Sequence, residues 1–139
     1  MKLTKLGADV IGRRKSRAIP IARQRIIAKR TIIAFDRDDT VSTGKGPVPI
    51  QLIRKMKQRG YKIFAIGNQR LVEEAGILSG AKGKLKEYIP ARERKRRLLL
   101  RLKKSFPMHA RFIVVDNLKI EAEGWHYMSP EEFLELFEN

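Results

Sequence analysis

The run Thr31-Ile32-Ile33-Ala34-Phe35, followed by Asp36-Arg37-Asp38-Asp39-Thr40, constrains this chain more than any other stretch. β-branched and aromatic side chains dominate the run without polar alternation. That is the pattern of a strand covered on both faces, in the interior of a parallel sheet. Two carboxylates, Asp36 and Asp38, then stand at its C-terminal end. In open α/β sheets ligands bind at that end, where the strand order switches direction. A strand followed by an acidic turn has the same local sequence, so the remainder of the chain must discriminate between the two.

The remainder alternates helix and strand signals. A helix is predicted over 49–59, with Val48, Leu52, Ile53 and Met56 on its buried stripe, Pro49 in its first turn and Gly60 at its end. A strand over 61–66 stops at Gly67-Asn68-Gln69, and a short helix over 69–75 follows. A small strand is expected at 87–89. After Pro90 comes a helix with Leu98, Leu99, Leu102 and Phe106 on one face. Residues 111–115 repeat the apolar-strand pattern and end at Asp116-Asn117, and a last strand is expected over 125–128. Ser129-Pro130-Glu131-Glu132 reads as a capping box with proline at the first helical position, starting a helix over 130–137. Such alternation predicts an α/β fold: a single Rossmann-like parallel sheet flanked by helices with right-handed crossovers.

The length allows one domain, assigned to residues 31–139, with residues 1–30 as an extended basic N-terminal arm in which a helix is expected over 21–29. No cysteine is present, which rules out disulfides and thiolate metal sites and is compatible with a reducing cytoplasm. No apolar run approaches a membrane span and the N-terminus lacks the apolar core of a secretion signal, so the expectation is a soluble cytoplasmic protein with no membrane partner.

The net charge of +16 is concentrated in two segments. Residues 1–30 hold ten basic side chains (Lys2, Lys5, Arg13, Arg14, Lys15, Arg17, Arg23, Arg25, Lys29 and Arg30) against Asp9 alone. Residues 91–104 hold eight (Arg92, Arg94, Lys95, Arg96, Arg97, Arg101, Lys103 and Lys104) against Glu93 alone. Elsewhere the signs balance. Such blocks are the electrostatic footprint of a polyanion, because each phosphate neutralised by Lys or Arg releases condensed counterions. The arm has no aromatic wedge and little amphipathic order, which disfavours a lipid surface and leaves nucleic acid as the expected partner.

Three strands therefore end in polar residues: Asp36 and Asp38, then Gly67 and Asn68, then Asp116 and Asn117. In the order and spacing of these motifs, the region from Thr31 to the C-terminus resembles the haloacid dehalogenase-like (HAD) superfamily. The resemblance implies Asp36 as nucleophile toward phosphorus, Asp38 as acid and then base, and Mg²⁺ held by the Asp36 carboxylate, the Asp38 carbonyl and Asp116. It implies phosphate-binding roles for Asn68 and Lys95. Three positions depart from the family pattern. Gly67 stands where a serine or threonine is usual, Asn117 where a second acid is usual, and the usual separation back from Asp116 lands on Ala91, with Lys86 and Lys95 near it. The segments after Asp39 and after Gly67 are too short for a cap domain, which implies an open site suited to a macromolecular substrate.

Other candidates are weaker. His109 and His126 lack partners at metal-binding spacing, Gly44-Lys45-Gly46 lacks the P-loop pattern, and Trp125 and Tyr127 suit a core better than a base-stacking platform. Two functions follow. The one favoured by the charge concentrated in two blocks is an RNA-binding, ribosome-associated protein contacting ribosomal RNA and neighbouring ribosomal proteins, with the HAD-like domain as scaffold. The other is a Mg²⁺-dependent phosphatase working through an aspartyl-phosphate on a polynucleotide or other macromolecular phosphate.

Overall fold

The computed structural model describes residues 21–81 and 89–137. Helix α1 (Ile21–Lys29) leads into strand β1 (Thr31–Phe35), and a 3-10 turn at Ser42–Gly44 precedes helix α2 (Ile50–Gln58). Strand β2 (Lys62–Ala65), helix α3 (Arg70–Ala75) and the two-residue strand β3 (Leu78–Ser79) follow. The second half holds helix α4 (Ala91–Ser105), strand β4 (Arg111–Val115), strand β5 (His126–Met128) and helix α5 (Pro130–Phe137). All strand pairs are parallel and the sheet order is β3-β2-β1-β4-β5. This is the Rossmann-like α/β architecture that the alternation of elements predicts.

Strand β1 is central and all five of its residues are buried. Its unbroken apolarity reflects two cores, one on each face of the pleat. Ile33 and Phe35 point into one, lined by Ile50, Ile53 and Met56 of α2, Leu71 of α3 and Phe133 of α5. Ile32 and Ala34 point into the other, lined by Leu99 and Leu102 of α4 with Phe112, Val114, Ile120 and Trp125. Each fully buried aliphatic side chain contributes about 1.5–3 kcal/mol, so β1 is anchored from both sides. Trp125 is a core residue, its indole N–H donating to the Leu99 carbonyl at 2.9 Å.

Most elements lie within a residue or two of their expected bounds. The buried stripe of α2 is Ile50, Ile53 and Met56, with Leu52 only half-buried. Val48 is buried too, but in the preceding loop, where it bridges Val41. At α5 the capping box forms reciprocally: the Ser129 N–H donates to Glu132 Oε1 at 2.8 Å and the Glu132 N–H to Ser129 Oγ at 3.1 Å. The strand expected at 87–89 falls on positions that, apart from Ile89, lie outside the described residues, as do positions 1–20 of the arm. The edge beside β2 is taken instead by Leu78–Ser79, which pairs with Phe64 and Ala65. None of the described helices is long and apolar enough to cross a membrane.

Candidate active site

The strand order switches at β1: β2 and β3 lie on one side of it, β4 and β5 on the other. Loops leaving β1 and β4 therefore diverge at their carboxyl ends, where open α/β sheets have their ligand crevice. The register pairs Phe35 with Val115, so the next residues, Asp36 and Asp116, stand side by side. The Asp116 side chain is fully buried and that of Asp36 retains 8% exposure.

Helix α4 supplies a cation to this pair. Lys95 Nζ lies 3.1 Å from Asp36 Oδ1 and 2.8 Å from Asp116 Oδ2. Ala91, the position reached by counting back from Asp116, is one helical turn earlier on the same face. Side chains on a helix lean toward its N-terminus, and a lysine stem spans the turn, so Lys95 serves the crevice that lies at the start of α4.

The remaining carboxylate oxygens are also held. With its amide oriented to satisfy both atoms, Asn117 Nδ2 donates to Asp36 Oδ2 and Asp116 Oδ1, each at 3.1 Å. Thr40 Oγ1 donates to Asp36 Oδ2 at 3.3 Å and accepts the Asn117 N–H at 3.1 Å, while the Leu118 N–H donates to Asp116 Oδ1 at 3.0 Å. Two carboxylates are thus tied on one side by an ammonium and on the other by an amide. Burial, then the Asp116 charge, pushes the Asp36 carboxyl above the ordinary carboxylate range, against the pull of Lys95 and Thr40. Burial draws the Lys95 ammonium down, but the hydrogen bond and charge of Asp116, then those of Asp36, outweigh it and raise it above the ordinary lysine value.

Asp38 is engaged elsewhere. The buried Arg37 places Nη1 2.8 Å from Asp38 Oδ1, binds both oxygens of Glu74 through Nε and Nη2 at 2.9 and 3.0 Å, and donates to the Thr43 carbonyl at 2.9 Å. Thr43 Oγ1 completes the network with a 2.7 Å bond to Glu74 Oε1. The Asp38 side chain stays 60% exposed at the rim, with Asn68 Nδ2 3.4 Å from both of its oxygens. The backbone between is tightly turned: Asp39 adopts φ 62°, and a methyl group on Gly46 would overlap the Thr40 backbone. At Gly67 a methyl group would overlap Asp36 Oδ1, so the nucleophile candidate itself fills the space beside that glycine.

The structure therefore brings Asp36, Asp116 and Lys95 together and sets Asp38 and Asn68 at the rim. Of the basic residues assigned to RNA, Arg13, Arg14, Lys15 and Arg17 lie outside the described residues. Arg23, Arg25, Lys29 and Arg30 are exposed on α1 and just after it, and Arg92, Arg94, Arg97, Arg101 and Lys104 are exposed on α4. Arg96 and Lys103 are half-buried, the first on Glu93 at 2.7 Å and the second 5.0 Å from the Phe112 ring centre. His109 packs edge-on against Phe106. The Asn117 bridge and the Arg37–Glu74 network were missed by sequence reasoning; adjacency to Asp116 signals the first, and nothing local signals a partner 37 positions away.

Among the described residues no group of three or more His, Cys, Asp or Glu side chains is arranged to hold a metal ion. The oxygen donors at this centre are the carboxylates of Asp36 and Asp116, both bound to Lys95. Carboxylate oxygens are the hard donors that Mg²⁺ takes, and an ion held here would share them with Lys95 and Asn117. No family model, curated protein or solved structure matches the chain.

Proposed function

We propose that this chain is a HAD-like, Mg²⁺-dependent phosphohydrolase with a site open to a macromolecular phosphate. The observation that carries the proposal is the Lys95 ammonium shared by Asp36 and Asp116 at the switch point of a parallel sheet. A carboxylate able to attack phosphorus, a second carboxylate beside it and a fixed cation fit phosphoryl transfer through an aspartyl-phosphate.

In this mechanism an Asp36 oxygen attacks phosphorus, the bond to the leaving oxygen breaks, and that oxygen takes a proton from Asp38. Water then attacks the phosphorus of the aspartyl-phosphate, Asp38 accepts its proton, and phosphate departs with Asp36 restored. Lys95 balances charge on the phosphoryl oxygens, and Asn68 supplies a donor at the rim, where Gly67 brings no hydroxyl. Mg²⁺ would be held by Asp36, Asp116 and the Asp38 carbonyl, and supplies further charge neutralisation. The short segment between Asp39 and Pro49, folded down by its 3-10 turn and the Val41–Val48 bridge, leaves no room for a cap domain.

The test is hydrolysis of p-nitrophenyl phosphate and of a 5′-phosphorylated RNA oligonucleotide with Mg²⁺. Asp36→Asn should lower the rate by about a thousandfold or more, as loss of a nucleophile does. Equal rates would end the proposal.

A second reading is favoured by Gly67 and by the engagement of Asp38 with Arg37. On it the chain is an RNA-binding, ribosome-associated protein in the cytoplasm, with the centre kept as a structural remnant. Its partners are ribosomal RNA and neighbouring ribosomal proteins. Co-sedimentation with ribosomes and release by high salt are its expected outcomes, and a protein that never sediments with them would rule it out.

A further inference from the structure

We propose that the outer face of α4 is a track for a single RNA strand, laid along Arg94, Arg97, Arg101 and Lys104 and leading to the Asp36 centre. This rests on the phosphohydrolase reading for its endpoint, and it names the substrate class of that site.

The four residues are three, four and three positions apart, so they share one face of the helix, and all four are exposed. At 1.5 Å per residue the row is about 15 Å long. No exposed apolar residue interrupts it, because Leu98, Leu99 and Leu102 are buried. The only acid on α4, Glu93, is matched by Arg96 at 2.7 Å and Arg97 at 2.9 Å, and the helix remains strongly cationic. A rigid row of cations matches the repeating charge of a phosphate backbone. A lipid surface would need an apolar face to insert, and α4 has spent its apolar face on the core. No aromatic side chain stands in the row, so contact is with backbone rather than bases, and sequence-tolerant.

Direction follows from topology. Helix α4 begins at the crevice, and Lys95 lies between Arg94 and Arg97 in the same stretch of helix but turned inward to Asp36. A strand lying on the row therefore meets the centre at the start of α4, where the helix dipole also favours a phosphate.

The experiment measures binding of the full-length protein to a 5′-phosphorylated oligouridylate across a salt series in EDTA. Arg94→Gln/Arg101→Gln/Lys104→Gln is compared with Lys55→Gln/Lys57→Gln/Arg59→Gln. The second set removes the same charge from exposed positions on and just after α2, which packs on the opposite face of the sheet. The α4 variant should flatten the slope of log K against log salt by about 2, from roughly 0.7 per phosphate contact of a single strand. The α2 variant should leave the slope unchanged. Equal flattening in both, or in neither, overturns the track, as does competition by poly-glutamate as strong as by RNA, which would point to an acidic protein instead. Binding in EDTA needs no hydrolysis, so an inert protein with the predicted slopes sinks only the phosphohydrolase, and an active one with unchanged slopes sinks only the track.

Discussion

Lys95 governs the behaviour of the centre at the scale of single residues. It is the only cation that bridges Asp36 and Asp116 among the described residues, and both carboxylates are buried. Lys95→Met should cost about 3–5 kcal/mol, the usual loss when one partner of a buried ion pair is removed. Urea unfolding in EDTA measures this directly, and a loss below about 1 kcal/mol would mean that the carboxylates are satisfied without it. Gly67 gives a second prediction, because the atom a side chain would meet there is Asp36 Oδ1. Gly67→Ala alone should destabilise by about 1–3 kcal/mol through overpacking, while in an Asp36→Ala background the same change should be nearly neutral. A double-mutant cycle with no coupling would contradict the contact. Asp36 and Asp116 were legible because each directly follows an apolar strand. Lys95 was named as a phosphate-binding residue although the family spacing counts back to Ala91, one helical turn earlier; the sequence did not show that its ammonium would be shared by Asp36 and Asp116.

Among the elements, α4 and α5 carry the most testable local chemistry. Hydrogen bonds from Arg96 and then Arg97 hold the Glu93 carboxyl down at about 2, from an ordinary 4.5. A lowered carboxylate contributes stability above its unfolded value and loses it as pH falls through the folded one. That contribution should therefore be intact at neutral pH and vanish as pH falls from about 4.5 through about 2. An NMR titration should find Glu93 near 2 in the wild type and back in the ordinary range in Arg96→Gln/Arg97→Gln. At α5, Ser129→Ala removes the bond to the Glu132 N–H and should cost about 1 kcal/mol, whereas Phe133→Ala should cost about 3–5 kcal/mol. The larger figure reflects a fully buried ring packed edge-on against Phe35 at 5.1 Å. Thermal or urea unfolding of the two variants checks both magnitudes. Caps and apolar stripes announce themselves locally, which is why α5 was legible to the residue. Strand β3 was not, because a two-residue edge strand owes its existence to its neighbour β2 rather than to its own propensity.

For the molecule as a whole, alternation of strands and helices was enough to foresee a parallel α/β sheet. The order β3-β2-β1-β4-β5 was not, since it depends on which face each crossover covers. That order is what turns two distant acidic stretches, Asp36 and Asp116, into neighbours and aims α4 at the gap between them. The charge partition then acquires a spatial meaning: the helix that delivers Lys95 inward exposes arginines outward. The central claim is that Asp36 attacks phosphorus. Its most direct measurement is acid quenching of the protein with acetyl phosphate and Mg²⁺, followed by mass analysis of the peptide containing Asp36. The account predicts a hydroxylamine-labile phosphoryl group on that peptide, absent in Asp36→Asn; an unmodified peptide in the wild type, or equal labelling of the variant, would contradict it.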